Sequence, residues 1–233
     1  MFERGKRGSH PRHDPGAPRR VQAGAAQGRL CAMTAQRPRF HVNPASGLLA
    51  AARQTPSPNQ DARPAGAAPE LIVIHCISLP PGEFGGPWID RLFTNRLDPA
   101  AHPYFATIAG LKVSAHLLIR RDGALVQYVP FHRRAWHAGA SSWRGREACN
   151  DFSIGVELEG ADDGEYTTAQ YRRLAVAIRA LCRAYPTLSP GRLAGHSDIA
   201  PGRKTDPGPG FDRARLARWL APRDYNRKRK GPK

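Results

Sequence analysis

Two histidines and a small set of carboxylates stand in this chain where a dry core would be expected. His75 closes the run Leu71-Ile72-Val73-Ile74, and His196 closes Leu193-Ala194-Gly195. Glu157 is embedded in Ile154-Gly155-Val156-Glu157-Leu158-Glu159, and Asp206 lies in the Pro/Gly-rich loop that opens with Lys204-Thr205. Imidazole nitrogen and carboxylate oxygen both suit Zn²⁺ at about 2.0–2.2 Å, and three protein ligands leave a fourth position for water. Zinc lowers the pKa of such a water from about 15.7 towards 7. A nearby carboxylate can then take its proton, and a cation can balance the developing oxyanion. Lys204 is placed for the second role, since it and Asp206 are two apart and point the same way in an extended loop. Glu157 and Glu159 share a face for the same reason, so spacing alone leaves either as the base.

There is no HExxH signature, and the three candidate ligands are separated by 121 and ten positions. A bland reading stands beside the chemical one. In it, His75 is a strand-end histidine bonded to backbone, the two glutamates line the solvent face of an edge strand, and Lys204–Asp206 is a surface ion pair worth about 0–1 kcal/mol.

The elements that must hold these residues can be read from pattern. The β-branched run from Leu71 predicts a buried strand. Residues 113–119 and 125–129 flank the turn signal Arg121-Asp122-Gly123 and predict a hairpin. Phe152 to Glu159 predicts another strand, and Leu193 to His196 a short one. Tyr171, Leu174, Ile178, Leu181, Cys182 and Tyr185 recur at spacings of three and four, predicting a helix capped by Thr167 or Thr168 and ended by Pro186. Shorter helices are expected over 88–93, 99–109 and 212–220. The expected fold class is α/β (α+β): one domain, a mixed central β-sheet flanked by helices.

The chain has 233 residues, with 23 Gly, 22 Pro and a formal net charge of +17. That charge is concentrated at the ends: residues 1–38 hold eight basic and two acidic side chains, and 222–233 hold six and one. The expected organisation is a disordered basic extension over 1–38, one domain over 39–221 and a basic tail over 222–233. No run approaches 18 apolar residues, so no membrane span is expected. The four cysteines show no CxxC spacing, which suits a reducing compartment. Terminal charge favours non-specific phosphate attraction, but no nucleic-acid motif accompanies it, so no specific nucleic-acid partner is expected.

The stretches HCISLPPGEFGGPWID, DPAAHPYFATIAGLKVSAHLLIRRDGALVQYVPFHRRAWHAG, CNDFSIGVELEG and GHSDIAPGRKTDPGPGFD closely resemble the AmpD-type anhydro-N-acetylmuramyl-L-alanine amidases. These are zinc amidases related to phage T7 lysozyme and the peptidoglycan-recognition proteins. The resemblance covers about residues 40–220 and implies that fold. It implies hydrolysis of the amide between (anhydro-)N-acetylmuramic acid and L-alanine of the stem peptide, on cytoplasmic muropeptides of cell-wall recycling, with consequences for β-lactamase induction. It implies Zn²⁺ on His75, His196 and Asp206, Glu157 as general base, Lys204 as transition-state stabiliser, and Trp136 and His137 lining the substrate cleft. The anhydro-muropeptide is the expected partner and a monomer the expected state.

Two positions depart from the family pattern. Cys76 stands where the family often has Asn after the first ligand, and Ala148 where an Arg commonly precedes CNDFS; both positions are associated with substrate contacts. From the residues themselves, Lys112 is a candidate for a substrate carboxylate, and Trp136 and Trp143 for a sugar ring.

Overall fold

A strand that is apolar on both faces must be covered on both, and the two most apolar runs of this chain occupy the middle of its sheet. The computed structural model describes residues 40–221; the segments 1–38 and 222–233, expected above as extension and tail, lie outside the described residues. The six strands of the main sheet are β1 (Arg53–Gln54), β2 (Leu71–Ile77), β3 (Leu117–Ile119), β4 (Leu125–Gln127), β5 (Ser153–Glu159) and β6 (Leu193–Gly195), in the spatial order β6-β2-β5-β3-β4-β1. β2 runs parallel to β5 and β6, and β5 parallel to β3, while β3 and β4 form the antiparallel hairpin. The sheet is therefore mixed, as expected.

The hairpin is shorter than its pattern suggested. Residues 113–115 leave the ladder: Ser114 N–H bonds the Trp136 carbonyl, and the Val113 carbonyl accepts from Asn59 Nδ2 at 2.7 Å. His116 still bonds both neighbouring strands, its N–H to the Gly155 carbonyl and its carbonyl accepting from Tyr128 N–H. β2, by contrast, runs past His75 to Ile77, because Cys76 and Ile77 still find register partners in Leu158 and Glu159.

The strand period divides the sheet into two faces. Ile72, Ile74, Ile154, Val156 and Leu158 point to one side and join Tyr171, Leu174, Ile178 and Leu181 in a single core. Those last four come from the helix α3 (Thr168–Ala184), the third of five α-helices among the described residues, after α1 (Trp88–Phe93) and α2 (Pro103–Ile108) and before α4 (His196–Ile199) and α5 (Arg213–Leu220). A capping box fixes the start of α3: the Thr167 hydroxyl accepts from Gln170 N–H at 3.1 Å, and the Gln170 side chain accepts from Thr167 N–H at 3.0 Å. Each fully buried Leu or Ile of its apolar face contributes about 1.5–3 kcal/mol, which anchors α3 across the sheet. α2 starts at Pro103, where a proline at the first helical position costs nothing, and the His102 ring accepts from Tyr104 N–H at 3.1 Å.

The odd-numbered positions face the other way. Leu71 and Val73 join Phe152, Cys149 and Ile199 in a smaller core, and His75, Ser153, Gly155, Glu157 and Glu159 share that face with them. The polar residues of β2 and β5 are thus on a central pair of strands, not on the solvent face of an edge.

Candidate metal centre and active-site cleft

His75 is held by β2, His196 by the first turn of α4, and Asp206 by the loop between α4 and α5, whose own carbonyl accepts from Ser197 N–H at 2.9 Å. These three bring one donor atom each to a single point. His75 Nδ1 lies 3.0 Å from His196 Nδ1 and 3.0 Å from Asp206 Oδ2, and His196 Nδ1 lies 3.1 Å from Asp206 Oδ1. Ligands at about 2.0 Å from a tetrahedral ion are about 3.3 Å apart, so the triangle has the right size for zinc. Both imidazoles are buried.

The chemistry of the set agrees with its size. His196 Nε2 lies 3.1 Å from the Ala138 carbonyl, which can only accept, so that nitrogen carries the hydrogen and Nδ1 offers a lone pair. A lone pair, a carboxylate and a second imidazole nitrogen within about hydrogen-bond distance form a donor set that a divalent cation satisfies. Burial lowers the pKa of His75 and favours the neutral imidazole a metal needs. Burial pushes Asp206 up, but the hydrogen bonds to His196 and His75 outweigh it and hold the carboxyl below the usual carboxylate range.

Glu157 and Glu159, equivalent by spacing, are unlike in three dimensions. Glu159 is spent: its Oε1 accepts from Gly85 N–H and Arg120 Nη1, both at 2.8 Å, and its Oε2 accepts from Arg121 N–H at 3.1 Å. Glu157 is buried beside the metal triangle with Oε2 unpartnered. Burial and the charge of Asp206 raise its pKa well above the ordinary value, and Lys204 opposes them. Lys204 is exposed and lines the same cleft as Asp206.

These residues share one cleft of about 660 Å³. His75, His196, Asp206, Glu157, Lys204, Trp136, His137 and Cys76 all line it. Lys112 is not among the lining residues; it is exposed at the rim, between Leu111 and Val113, which are. Trp143 is outside as well: it packs on Phe152, ring centroids 6.5 Å apart, and is a core anchor. The Cys76 thiol donates to Asp162 Oδ1 at 3.0 Å, and burial raises its pKa. The other Asp162 oxygen accepts from the Thr205 hydroxyl, so one carboxylate ties β2 to the loop that carries Lys204 and Asp206. Pattern reading missed Asp162 and Thr205, whose pairing is purely tertiary. It also missed Tyr104 and Leu111, 38% and 49% exposed and both lining the cleft, which offer apolar surface to a ligand.

A family model described as N-acetylmuramoyl-L-alanine amidase matches residues 65–209, a span that holds both histidines, Asp206, Glu157 and Lys204. The chain belongs to this amidase family. Its amidase relatives include the 1,6-anhydro-N-acetylmuramyl-L-alanine amidase AmpD of Citrobacter freundii, 62% identical over 77% of this chain and 95% of that protein. The AmpD of Escherichia coli K12 is 64% identical over 73% of this chain and 92% of its own length. Among solved amidase structures, a crystal structure of a selenomethionine AmpD derivative superposes with a TM-score of 0.74 at 62% identity, covering 76% of this chain and 98% of that one. The mixed α/β amidase fold expected from the resemblance is therefore the fold observed. No helix among the described residues is long and apolar enough to cross a membrane.

Proposed function

We propose that this chain is a zinc-dependent amidase that cleaves the bond between the lactyl carbonyl of (anhydro-)N-acetylmuramic acid and the L-alanine nitrogen of the stem peptide. Its place is cytoplasmic peptidoglycan recycling, acting as a monomer on soluble anhydro-muropeptides, with no membrane or specific nucleic-acid partner. The observation that carries the reading is the convergence of three metal-type donors within about 3 Å of one another, beside a buried carboxylate oxygen with no partner. The names of the AmpD relatives support the substrate class.

His75, His196 and Asp206 would hold the ion. Bound there, zinc supplies a Lewis acid that polarises the scissile carbonyl and acidifies water at neutral pH. Glu157 takes the proton of the attacking water and returns it to the alanine nitrogen as the C–N bond breaks. Its raised pKa suits both halves of that task, since a base poised near the working pH transfers protons in both directions. Lys204, projecting over the same cleft, faces the oxygen on which negative charge grows. Trp136 with Tyr104 and Leu111 offers apolar surface to the sugar. Cys76 and Lys112 are the remaining proposed substrate contacts, the first from within the cleft and the second from its rim.

Metal analysis of the purified protein, combined with product identification on an anhydro-muropeptide and on intact cell wall, tests this. One zinc per chain and release of the alanine-led peptide from the small substrate alone is the expected result. A metal-free protein that binds muropeptide without cutting it would make the chain a binding module instead.

A further inference from the structure

The geometry points to His137 as a positioning residue that sets the metal-binding form of His75, rather than as a contact for substrate. The inference rests on the zinc reading above. It starts from the two nitrogens of the His137 ring, both of which are taken. Nδ1 lies 2.9 Å from His75 Nε2, and Nε2 lies 3.1 Å from the Ser153 hydroxyl. For His75 Nδ1 to give a lone pair to a metal, its hydrogen must be on Nε2. Among the described residues Nε2–H then has a single acceptor within reach, His137 Nδ1, and His137 in turn donates from Nε2 to Ser153 Oγ. The hydroxyl can accept because its hydrogen rotates.

The adjoining residue does the same for the other imidazole. The Ala138 carbonyl accepts from His196 Nε2 at 3.1 Å, leaving that Nδ1 free for metal. Residues 137 and 138 therefore hold the far nitrogens of both histidine ligands, one through a side chain and one through a carbonyl. Asn150 pins the pair: its Oδ1 accepts from His137 N–H at 3.1 Å and from Ala138 N–H at 2.8 Å.

The sheet makes room for this arrangement. A Cβ added at Gly155 would stand 2.5 Å from His137 Cγ and 2.7 Å from its Nδ1 and Cδ2, so only glycine there lets the ring lie flat on β5. A histidine serving merely as a cleft wall would need neither that cradle nor partners on both nitrogens. Outer partners of metal-bound histidines are typically worth 10–100-fold in metal affinity.

The test compares the full chain with His137→Phe, which keeps the ring and removes both nitrogens, and with His137→Asn, whose Oδ1 takes the place of Nδ1. Zinc dissociation constants are measured by competition with a chelator, alongside the melting temperature of the zinc-free proteins. The expected result is a 10–100-fold weaker zinc site in His137→Phe with most of the loss regained in His137→Asn. Zinc affinity equal to wild type in His137→Phe, with only KM for muropeptide raised, overturns the inference and returns His137 to the substrate wall. So does an equal loss in both variants. If His137→Phe does not fold, the ¹⁵N spectrum of zinc-loaded wild type decides: hydrogen on Nε2 of His75 is expected, and hydrogen on Nδ1 overturns the assignment. A wild type that binds no zinc fails the proposed function itself, and is recognised before any variant is compared.

Discussion

Glu157 and His75 are direct register partners on adjacent parallel strands, so the unpartnered carboxylate and the first metal-type donor leave the same face of the sheet at the same level. Two rigid central strands fix that separation, whereas Asp206 and Lys204 arrive on a loop. A carboxylate held this way does not depend on loop closure for its position.

Glu157→Gln keeps the shape of the side chain and removes the base. Turnover should fall by about 10²–10⁴, the usual worth of a positioned base, with zinc retained. Glu159→Gln is the control: it weakens the bond to Arg120, so it should lower the melting temperature and leave the chemistry largely intact. Near wild-type kcat in Glu157→Gln, measured at saturating muropeptide, sinks the base assignment.

In the proposed mechanism, Lys204 meets developing charge rather than the ground state. Lys204→Met, which preserves the stem and removes the ammonium, should cost about 10²–10³ in kcat, the range found for loss of one oxyanion donor. KM should move little. A rise in KM with unchanged kcat would mean that the ammonium binds substrate uniformly and stabilises no transition state.

Much of this was legible in sequence, and the limits are physical. Leu71–Ile74, Ile154–Leu158 and the face from Tyr171 to Leu181 are strong signals because central strands and a sheet-covering helix have little freedom in composition. The two glutamates of β5 could not be told apart, because a period of two puts both on one face and only the tertiary partners of Glu159 distinguish them. The strand expected from Val113 begins at Leu117, since Val113 and Ser114 spend their backbone groups on Asn59 and Trp136, tertiary partners that a local pattern does not show. His137 was read as a cleft residue, and it is one, but its bonds to His75 and Ser153 cross from a loop to two strands and leave no mark in local pattern.

His116 makes stability depend on pH. Its ring is fully buried; Nδ1 accepts from Gly155 N–H at 3.0 Å and Nε2 lies 3.0 Å from the Arg133 carbonyl, an arrangement only the neutral imidazole can make. Burial first, then the charge of Arg63, pulls its pKa from 6.5 down to about 3. The folded value is the lower one, so between about 6.5 and 3 the unfolded chain binds a proton that the native one refuses. Stability is therefore full above 6.5 and declines as pH falls, by about 1 kcal/mol between pH 7 and 5.5 from this group alone. Urea denaturation at the two pH values, repeated on His116→Gln, should show a smaller pH difference in the variant. An identical difference would mean that His116 is not held neutral.

Asp162 ties the loop that carries Lys204 and Asp206 to the sheet, accepting from Cys76 on β2 and from Thr205 between those two residues. Its backbone carbonyl also accepts from Gly210 N–H at 2.9 Å, and a Cβ at Gly208 would fall 2.2 Å from that same oxygen, so the two loops are in close contact. Asp162→Ala removes the carboxylate and keeps the backbone contact. Asp206 and Lys204 should then lose their fixed position, and since misplacement by about 1 Å can cost 10²-fold in rate, zinc affinity and kcat should fall together. Cys76→Ser retains a donor to Asp162 and should hold zinc affinity close to wild type. Chelator competition and turnover on the same preparations check this, and Asp162→Ala behaving as wild type in both would show that the loop is positioned by its backbone contacts alone.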